Sequence, residues 1–93
     1  MYYFYLVRCI DNSLYAGVTT NLERRVEEHN AKNSKSAKYT RAKGPVILVY
    51  FETFTTKQEA MKREYEVKQW KKKDKELLIL NKNPQTVMDV HLQ

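Results

Sequence analysis

The 93-residue chain is poor in cysteine, glycine and proline, with one Cys, two Gly and two Pro. A lone cysteine, Cys9, excludes an internal disulfide and a cysteine-based zinc site, and it fits a reducing compartment such as the cytoplasm. With 42% hydrophobic and 30% charged residues, the composition also excludes disorder and low complexity. A chain of this length is expected to form one domain with one thin core.

Long hydrophobic runs are also absent. The apolar stretch at residues 2–7 lacks a basic flank and is too short for a signal peptide or a membrane span. It therefore predicts a strand, and we expect a cytoplasmic protein without a membrane partner.

Positive charge is in excess, because 17 Lys and Arg face 11 Asp and Glu and give a net charge of +6. Such an excess favours a polyanionic partner. It is concentrated at residues 31–48, which hold five bases and no acid. Because residues 31–44 show no apolar period, they predict a long functional loop. Its bases, which we expect to follow a nucleic-acid backbone, are Lys32, Lys35, Lys38, Arg41 and Lys43.

The order of predicted elements is strand, strand, helix, strand, helix. The third strand follows Pro45 and is almost continuously apolar, which predicts a central strand covered on both faces. Capping-box patterns predict both helix starts. The elements are strands at 2–10, 14–19 and 46–51, a helix from an N-cap at Thr20 to Asn30, a helix from Thr56 to Trp70, and one or two further helical turns within 74–80. We expect a domain at residues 1–81 and a loosely attached tail at 82–93.

The first two strands predict a β-hairpin whose loop length decides which side chains share a face. A three-residue loop at 11–13 would pair Cys9 with Tyr15 and Tyr5 with Thr19, so that both tyrosines and Gly17 lie on one face. A two-residue loop would separate the two tyrosines. We predict the three-residue loop.

Charged groups occur at helix positions that should face the core. Arg25 and His29 fall on or beside the apolar stripe of the first helix, and Glu64 falls inside that of the second. Burying an unpaired charge is costly, so these groups need partners. A structural ion pair between Arg25 and Glu64, and a hydrogen-bonded half-buried His29, are the alternatives to a functional site. The apolar positions around Glu64 are Ala60, Met61, Tyr65, Val67 and Trp70, whereas Lys68 with Lys71–Lys73 is expected to be a solvated helix end.

These positions match a known pattern. Phe4-Tyr5 and Tyr15-Ala16-Gly17 resemble the two tripeptides of the GIY-YIG nucleases, although the glycine of the first is absent and alanine replaces the middle residue of the second. The family's two helices are similar to Asn21-Leu-x-x-Arg25-Val-x-x-x-His29 and Ala60-x-x-x-Glu64. The link and third strand of its small bacterial members are similar to Lys38-Tyr-Thr-Arg41 and Pro45-Val-x-Leu-Val-Tyr50. The resemblance covers roughly residues 2–80. It implies an α+β fold in which a small three-stranded antiparallel sheet is flanked by helices.

The resemblance also implies roles for the matched residues. Arg25 would stabilise the transition state, and Glu64 would be the protein ligand of magnesium or manganese. Tyr5 is the candidate base and Tyr15 the positioning residue, while His29 would relay a proton or contact phosphate. Gly17 would be structural, letting the strand approach the substrate closely.

The leading functional hypothesis is a metal-dependent endonuclease that hydrolyses phosphodiester bonds in DNA. We expect weak sequence specificity, structured or damaged DNA as a candidate target, and a role in DNA repair or recombination. DNA is favoured over RNA, and a monomer is assumed. The alternatives are a non-catalytic nucleic-acid-binding module of the same fold and a small subunit that contacts a partner protein through its tail.

Overall fold

A computed structural model of the chain describes residues 1–31 and 45–82. Within them it confirms the predicted α+β class and the three-stranded antiparallel sheet. The described elements are β1 (Tyr2–Cys9), β2 (Leu14–Thr19), α1 (Leu22–Asn30), β3 (Val46–Phe54), α2 (Lys57–Lys68) and α3 (Lys72–Lys82). None of the described helices is long and apolar enough to span a membrane.

The sheet has the order β2-β1-β3, so the prediction that the third strand is central is wrong. The central strand is β1, because both faces of its middle are covered: residues 4–7 are all buried. In β3, by contrast, Ile47 is 68% exposed, although the sequence of β3 is as apolar as that of β1. An apolar run therefore does not by itself distinguish an edge strand from a central one.

The hairpin has the predicted loop length, but the loop lies one residue earlier in the chain. Tyr5, predicted opposite Thr19, pairs with Gly17, and Tyr15, predicted opposite Cys9, shifts by two positions with it. A shift of two keeps every side chain on its face. Both tyrosines and Gly17 therefore share one face of the sheet, as predicted.

The position of the loop follows from its residue types. Asn12 adopts a left-handed conformation with φ of 71°, which asparagine tolerates better than most residues. The Asn12 N–H donates to the Cys9 carbonyl at 2.9 Å, and the Cys9 N–H donates to the Ser13 carbonyl at 2.8 Å. The Asp11 carboxylate accepts from the Ser13 N–H and hydroxyl. These bonds close the loop over residues 10–12.

Helices cover both faces of the sheet. On one face α1 packs Leu22 and Val26 against a cluster built from Tyr5, Val7 and neighbouring strand residues. On the other, α2 and α3 contribute Val67 and Leu78 to the cluster of Phe4, Leu6, Ala16 and Tyr50. The central strand thus supplies the middle of both cores.

The helix boundaries differ from the predictions at several ends. The N-cap of α1 is Asn21 rather than Thr20: its side-chain oxygen accepts from the Arg24 N–H at 3.0 Å, and asparagine is among the best N-cap residues. The capping box at Thr56 is confirmed, but α2 ends at Lys68 rather than Trp70. The C-terminal helix α3 has 11 residues, more than predicted, and includes the expected domain boundary near residue 82.

The apolar arc predicted for α2 is too wide. Met61 is 48% and Tyr65 72% exposed, whereas Ala60 and Val67 are fully buried. At about 100° per residue, Tyr65 points roughly 160° away from Val67, onto the solvent side of the helix. Only a narrow stripe of side chains on α2 therefore packs against the sheet.

Ion pairs fix α2 and α3 against the sheet. Arg63 of α2 donates to both carboxylate oxygens of Glu52 in β3, at 2.9 and 3.1 Å. Arg8 of β1 donates to both oxygens of Glu76 in α3, each at 2.7 Å, and these hydrogen bonds lower the pKa of Glu76 to about 2. Paired arginine contacts of this kind constrain orientation as well as distance. The contact of Arg63 therefore also fixes the backbone position of Glu64, the next residue of α2.

Candidate active site

The centre of the candidate site is a buried contact between Tyr5 of β1 and His29 of α1. Their exposed fractions are 2% and 0%, and the Tyr5 hydroxyl lies 3.0 Å from His29 Nε2. His29 is buried because it continues the Leu22 and Val26 stripe of α1 onto the sheet. The hydrogen bond agrees with the non-functional alternative for His29, but that alternative expected a half-buried histidine whereas His29 is fully buried, and its partner is a predicted catalytic residue.

Gly17 makes room for the Tyr5 ring. A Cβ atom built at Gly17 would lie 2.5 Å from Tyr5 Cζ and closer still to the hydroxyl, well inside van der Waals contact. The glycine is therefore required by a neighbouring side chain, while the expectation that it lets the strand approach the substrate closely stays a prediction. With no side chain in the way, the end of the phenol lies over Gly17 of the edge strand β2.

Tyr15 lies on the same face, beside the central pair. Its ring contacts His29 edge-on, with ring centroids 5.4 Å apart, and the ring of Tyr5 contacts the same imidazole at 6.0 Å. The Nζ atom of Lys68 lies 5.9 Å from the Tyr15 ring centroid. Tyr15 thus lies between the histidine of α1 and a cation of α2.

Arg25 precedes His29 by one turn of α1 and interacts electrostatically with the Tyr5 hydroxyl. Its guanidinium donates to Glu28 at 2.9 Å, and both side chains are 24% exposed. The structure therefore pairs Arg25 with an acid on its own helix, not with Glu64 as the structural alternative supposed. A partly exposed pair of this kind can exchange its acid for another anion.

Glu64 reaches the site from α2. Its carboxylate is 3.2 Å from Lys68 Nζ, its side chain is 22% exposed, and its charge acts on the Tyr5 phenol. The contacts of Lys68 were missed by the sequence analysis, which placed it at a solvated helix end. Its spacing of four residues from Glu64 is the signal that could have indicated them.

One carboxylate at this position suits a magnesium or manganese ion. Such ions prefer oxygen ligands and keep several waters, and they are often bound through one or two carboxylates together with substrate phosphate. Among residues 1–31 and 45–82 no cluster of three or more His, Cys, Asp or Glu could hold a metal. A single carboxylate such as that of Glu64 fits a metal that a substrate phosphate helps to bind.

The electrostatic environment keeps the central pair neutral. Burial raises the pKa of Tyr5 to about 12, with Tyr15 and Glu64 adding to the shift and Arg25 opposing it. Burial also lowers the pKa of His29 to about 4, with Arg25 adding to the shift and Glu28 opposing it. At neutral pH a neutral phenol therefore faces an uncharged imidazole, and the hydrogen bond between them contains one proton.

The described structure thus brings six of the predicted site residues to one place, at the β2 edge between α1 and α2: Tyr5, Tyr15, Gly17, Arg25, His29 and Glu64. The predicted nucleic-acid-binding bases Lys32, Lys35, Lys38, Arg41 and Lys43 lie outside the described residues, as does the tail from residue 83 onward.

Comparison with known proteins finds a matching family model and several relatives of the chain. A model of the GIY-YIG catalytic domain matches residues 1–77. The UPF0213 protein of Staphylococcus haemolyticus is 54% identical over 74 residues, which are 80% of this chain and 88% of that protein. YazA, a UPF0213 protein of Bacillus subtilis, is 49% identical over 81 residues, 87% of this chain and 80% of that protein. The solution NMR structure of the UPF0213 protein of Bacillus halodurans has a TM-score of 0.57 at 44% identity and covers 92% of each chain.

The steric role of Gly17 predicts the effect of one added methyl group. We expect Gly17→Ala to destabilise the fold by about 1–3 kcal/mol, the usual cost of overpacking. In a Tyr5→Ala background the same substitution should cost little, because the clashing ring is gone. Urea unfolding of the four proteins of this cycle measures the coupling. Equal costs in both backgrounds would contradict the assigned contact.

The depressed pKa of His29 predicts a pH dependence of stability. Unfolded histidine binds its proton near pH 6.5 and the folded group only near pH 4. The contribution of neutral His29 to the free energy of unfolding is therefore complete above pH 6.5. It is lost as the pH falls from 6.5 towards 4. We expect about 2 kcal/mol less stability at pH 4.5 than at pH 7 from this group.

Proton NMR titration measures the same property directly. The His29 ring signals should titrate near pH 4, and a His91→Gln variant identifies which of the two histidine signals belongs to His29. A midpoint near pH 6.5 would show that the imidazole is not held neutral by burial.

Proposed function

The chain belongs to the GIY-YIG family, whose membership implies nuclease-type activity in general, and on this premise we propose a metal-dependent endonuclease that hydrolyses phosphodiester bonds in DNA. GIY-YIG nucleases generally depend on a divalent metal.

The observation that carries the proposal is the 3.0 Å contact between Tyr5 and His29, together with the charges around it. A tyrosine in a strand ordinarily packs with its hydroxyl at the rim. Here the hydroxyl is buried against an imidazole and lies within the electrostatic influence of Arg25 and Glu64. Proton acceptor, cation and metal-ligating carboxylate are the groups that phosphodiester hydrolysis requires.

The Tyr5–His29 pair supplies a route for the proton of the attacking water. A phenol whose pKa is raised to about 12 does not ionise at neutral pH by itself. With the imidazole proton on Nδ1, however, Tyr5 donates to Nε2 and can pass its proton there while accepting one from water. The negative charge of the incoming phosphodiester favours this step, because it offsets the repulsion between the positive charges of Arg25 and protonated His29.

Arg25 is positioned to bind the phosphate. Its planar guanidinium stays charged at any working pH and can hold two phosphate oxygens at once. Because its present partner Glu28 is one turn away on the same helix, rotation of the side chain is enough to exchange carboxylate for phosphate. Tyr15, next to His29, completes the wall against which the phosphate is oriented.

Glu64 would hold the metal. When bound, magnesium or manganese supplies Lewis-acid stabilisation of the charge that develops on the phosphate and on the leaving oxygen. The ion pair of Arg63 with Glu52 fixes α2, and with it the backbone of Glu64, against the sheet.

The substrate that fits best is DNA with weak sequence specificity. A net charge of +6 supports binding to a phosphate backbone, and a domain this small offers few elements that could read base edges. Structured or damaged DNA is the proposed target, with a role in repair or recombination. Lys32, Lys35, Lys38, Arg41 and Lys43 are proposed backbone contacts, and we propose a monomer that acts in the cytoplasm.

The second candidate is a nucleic-acid-binding module without turnover. It is favoured by one observation: in the described structure the charge of Glu64 is already neutralised by Lys68, and that of Arg25 by Glu28. A site whose charges are paired internally can retain the fold and bind phosphate through its surface while lacking cleavage.

Nicking of supercoiled plasmid and cleavage of branched DNA and RNA, with magnesium, manganese or chelator, test the proposal. Glu64→Gln should reduce cleavage by about 100-fold or more, because it removes the metal-binding charge with little change in size. The matched control is Glu66→Gln, on the same helix, whose carboxylate pairs with Arg63 outside the site. This control should cleave like the wild type.

Three results would change the assignment. Salt-sensitive DNA binding without cleavage by the wild type under any metal condition would favour the binding module. Cleavage that survives Glu64→Gln would remove Glu64 as the metal ligand. Preferred cleavage of RNA, or cutting at one defined sequence, would overturn the proposed substrate.

A further inference from the structure

Lys68 is the described residue that links the proposed metal ligand to the second tyrosine. Its Nζ atom lies 3.2 Å from Glu64 Oε2 and 5.9 Å from the centroid of the Tyr15 ring. The lysine side chain is 50% exposed, so its ammonium remains in contact with solvent while it touches both groups. It is not among the residues to which the proposed mechanism gives a role.

The position of Lys68 conflicts with metal binding. An ammonium at Glu64 occupies the carboxylate that a divalent cation would use, and the two positive charges would repel each other over a few ångströms. Lysine has a flexible four-carbon stem, and one helix turn separates it from the carboxylate. The ammonium can therefore leave Glu64 without any movement of α2.

We propose that Lys68 neutralises Glu64 until a divalent metal displaces it, and that the released ammonium then binds a non-bridging oxygen of the substrate phosphodiester. This inference rests on the proposed function, since it takes Glu64 as the metal ligand. Tyr15 marks the direction of the movement, because the ammonium already lies above its ring at the wall that the phosphate would approach. A lysine beside a phosphate acts as a point charge and needs no fixed geometry.

Two measurable consequences follow. Without nucleic acid, Lys68 weakens metal binding, because the metal must first break the ion pair. With nucleic acid, the metal strengthens DNA binding through Lys68, since it frees a cation for the phosphate. By linkage, DNA must then strengthen metal binding by the same factor.

The chain contains a matched control pair. Lys72 and Glu76 on α3 have the same spacing of four residues, an N–O distance of 2.6 Å and the same 50% exposure of the lysine. Glu76 is also held by Arg8, so loss of Lys72 leaves it paired. Lys68→Met and Lys72→Met thus remove the same charge, one at the site and one away from it.

The first measurement is manganese binding without nucleic acid, by electron paramagnetic resonance of the free ion. We expect Lys68→Met to bind manganese about threefold to tenfold more tightly than the wild type, from the lost ion pair and the lost repulsion. Lys72→Met should stay within about twofold of the wild type, because its charge is distant and screened. Glu64→Gln should lose this binding.

The outcomes separate the two proposals. If Glu64→Gln abolishes manganese binding but Lys68→Met leaves it unchanged, Lys68 does not compete with the metal and the inference is wrong, while the metal assignment stands. If Glu64→Gln binds manganese like the wild type, the metal assignment itself is wrong, and the inference falls with it.

The second measurement is DNA affinity with and without manganese, in a Tyr5→Phe background that the mechanism leaves without cleavage. The manganese-induced gain in affinity should be at least about threefold smaller with Lys68→Met than with Lys72→Met, since only Lys68 contacts the phosphate after release. Equal gains in the two variants would show that the ammonium does not move to the phosphate.

Discussion

The site depends on one steric constraint, the close approach of the Tyr5 ring to Gly17. Because Gly17 has no side chain, the phenol can lie over β2 with its hydroxyl against His29 of α1. Burial of both partners then keeps the phenol and the imidazole uncharged. The proposed proton transfer starts from this neutral pair.

The charged members of the site are paired with near neighbours on their own helices. Arg25 contacts Glu28, and Glu64 contacts Lys68, three and four residues away. Pairs within a partly exposed helix turn are weak, in the range of a few tenths of a kcal/mol. Such pairs satisfy the charges in the free protein, and a phosphate or a metal can displace them at a modest cost in affinity. In the free protein the charges of the site are therefore paired, and its charged groups can still exchange their partners for a phosphate or a metal.

Much of the fold followed from sequence, because the order of elements along the chain, the face parity of the hairpin and the Thr56 capping box depend on local chemistry. The shared face of Tyr5 and Gly17 was predictable from an odd loop even though the pairing register was wrong by two. The central strand and the exposure of Tyr65 were not, since sheet order and the width of a buried helix face are set by long-range packing. The contact that explains Gly17 was also hidden, because the sequence does not show which ring lies over a glycine.

The most direct test of the account is the single-turnover cleavage rate of Tyr5→Phe, which removes only the hydroxyl. Tyr3→Phe is the matched control, since its ring lies on the same strand and face and packs against Phe51 instead. The account predicts that Tyr5→Phe binds DNA like the wild type but cleaves it at least about 100-fold more slowly, while Tyr3→Phe cleaves normally. Cleavage by Tyr5→Phe at the wild-type rate would contradict the proton route through Tyr5 and His29.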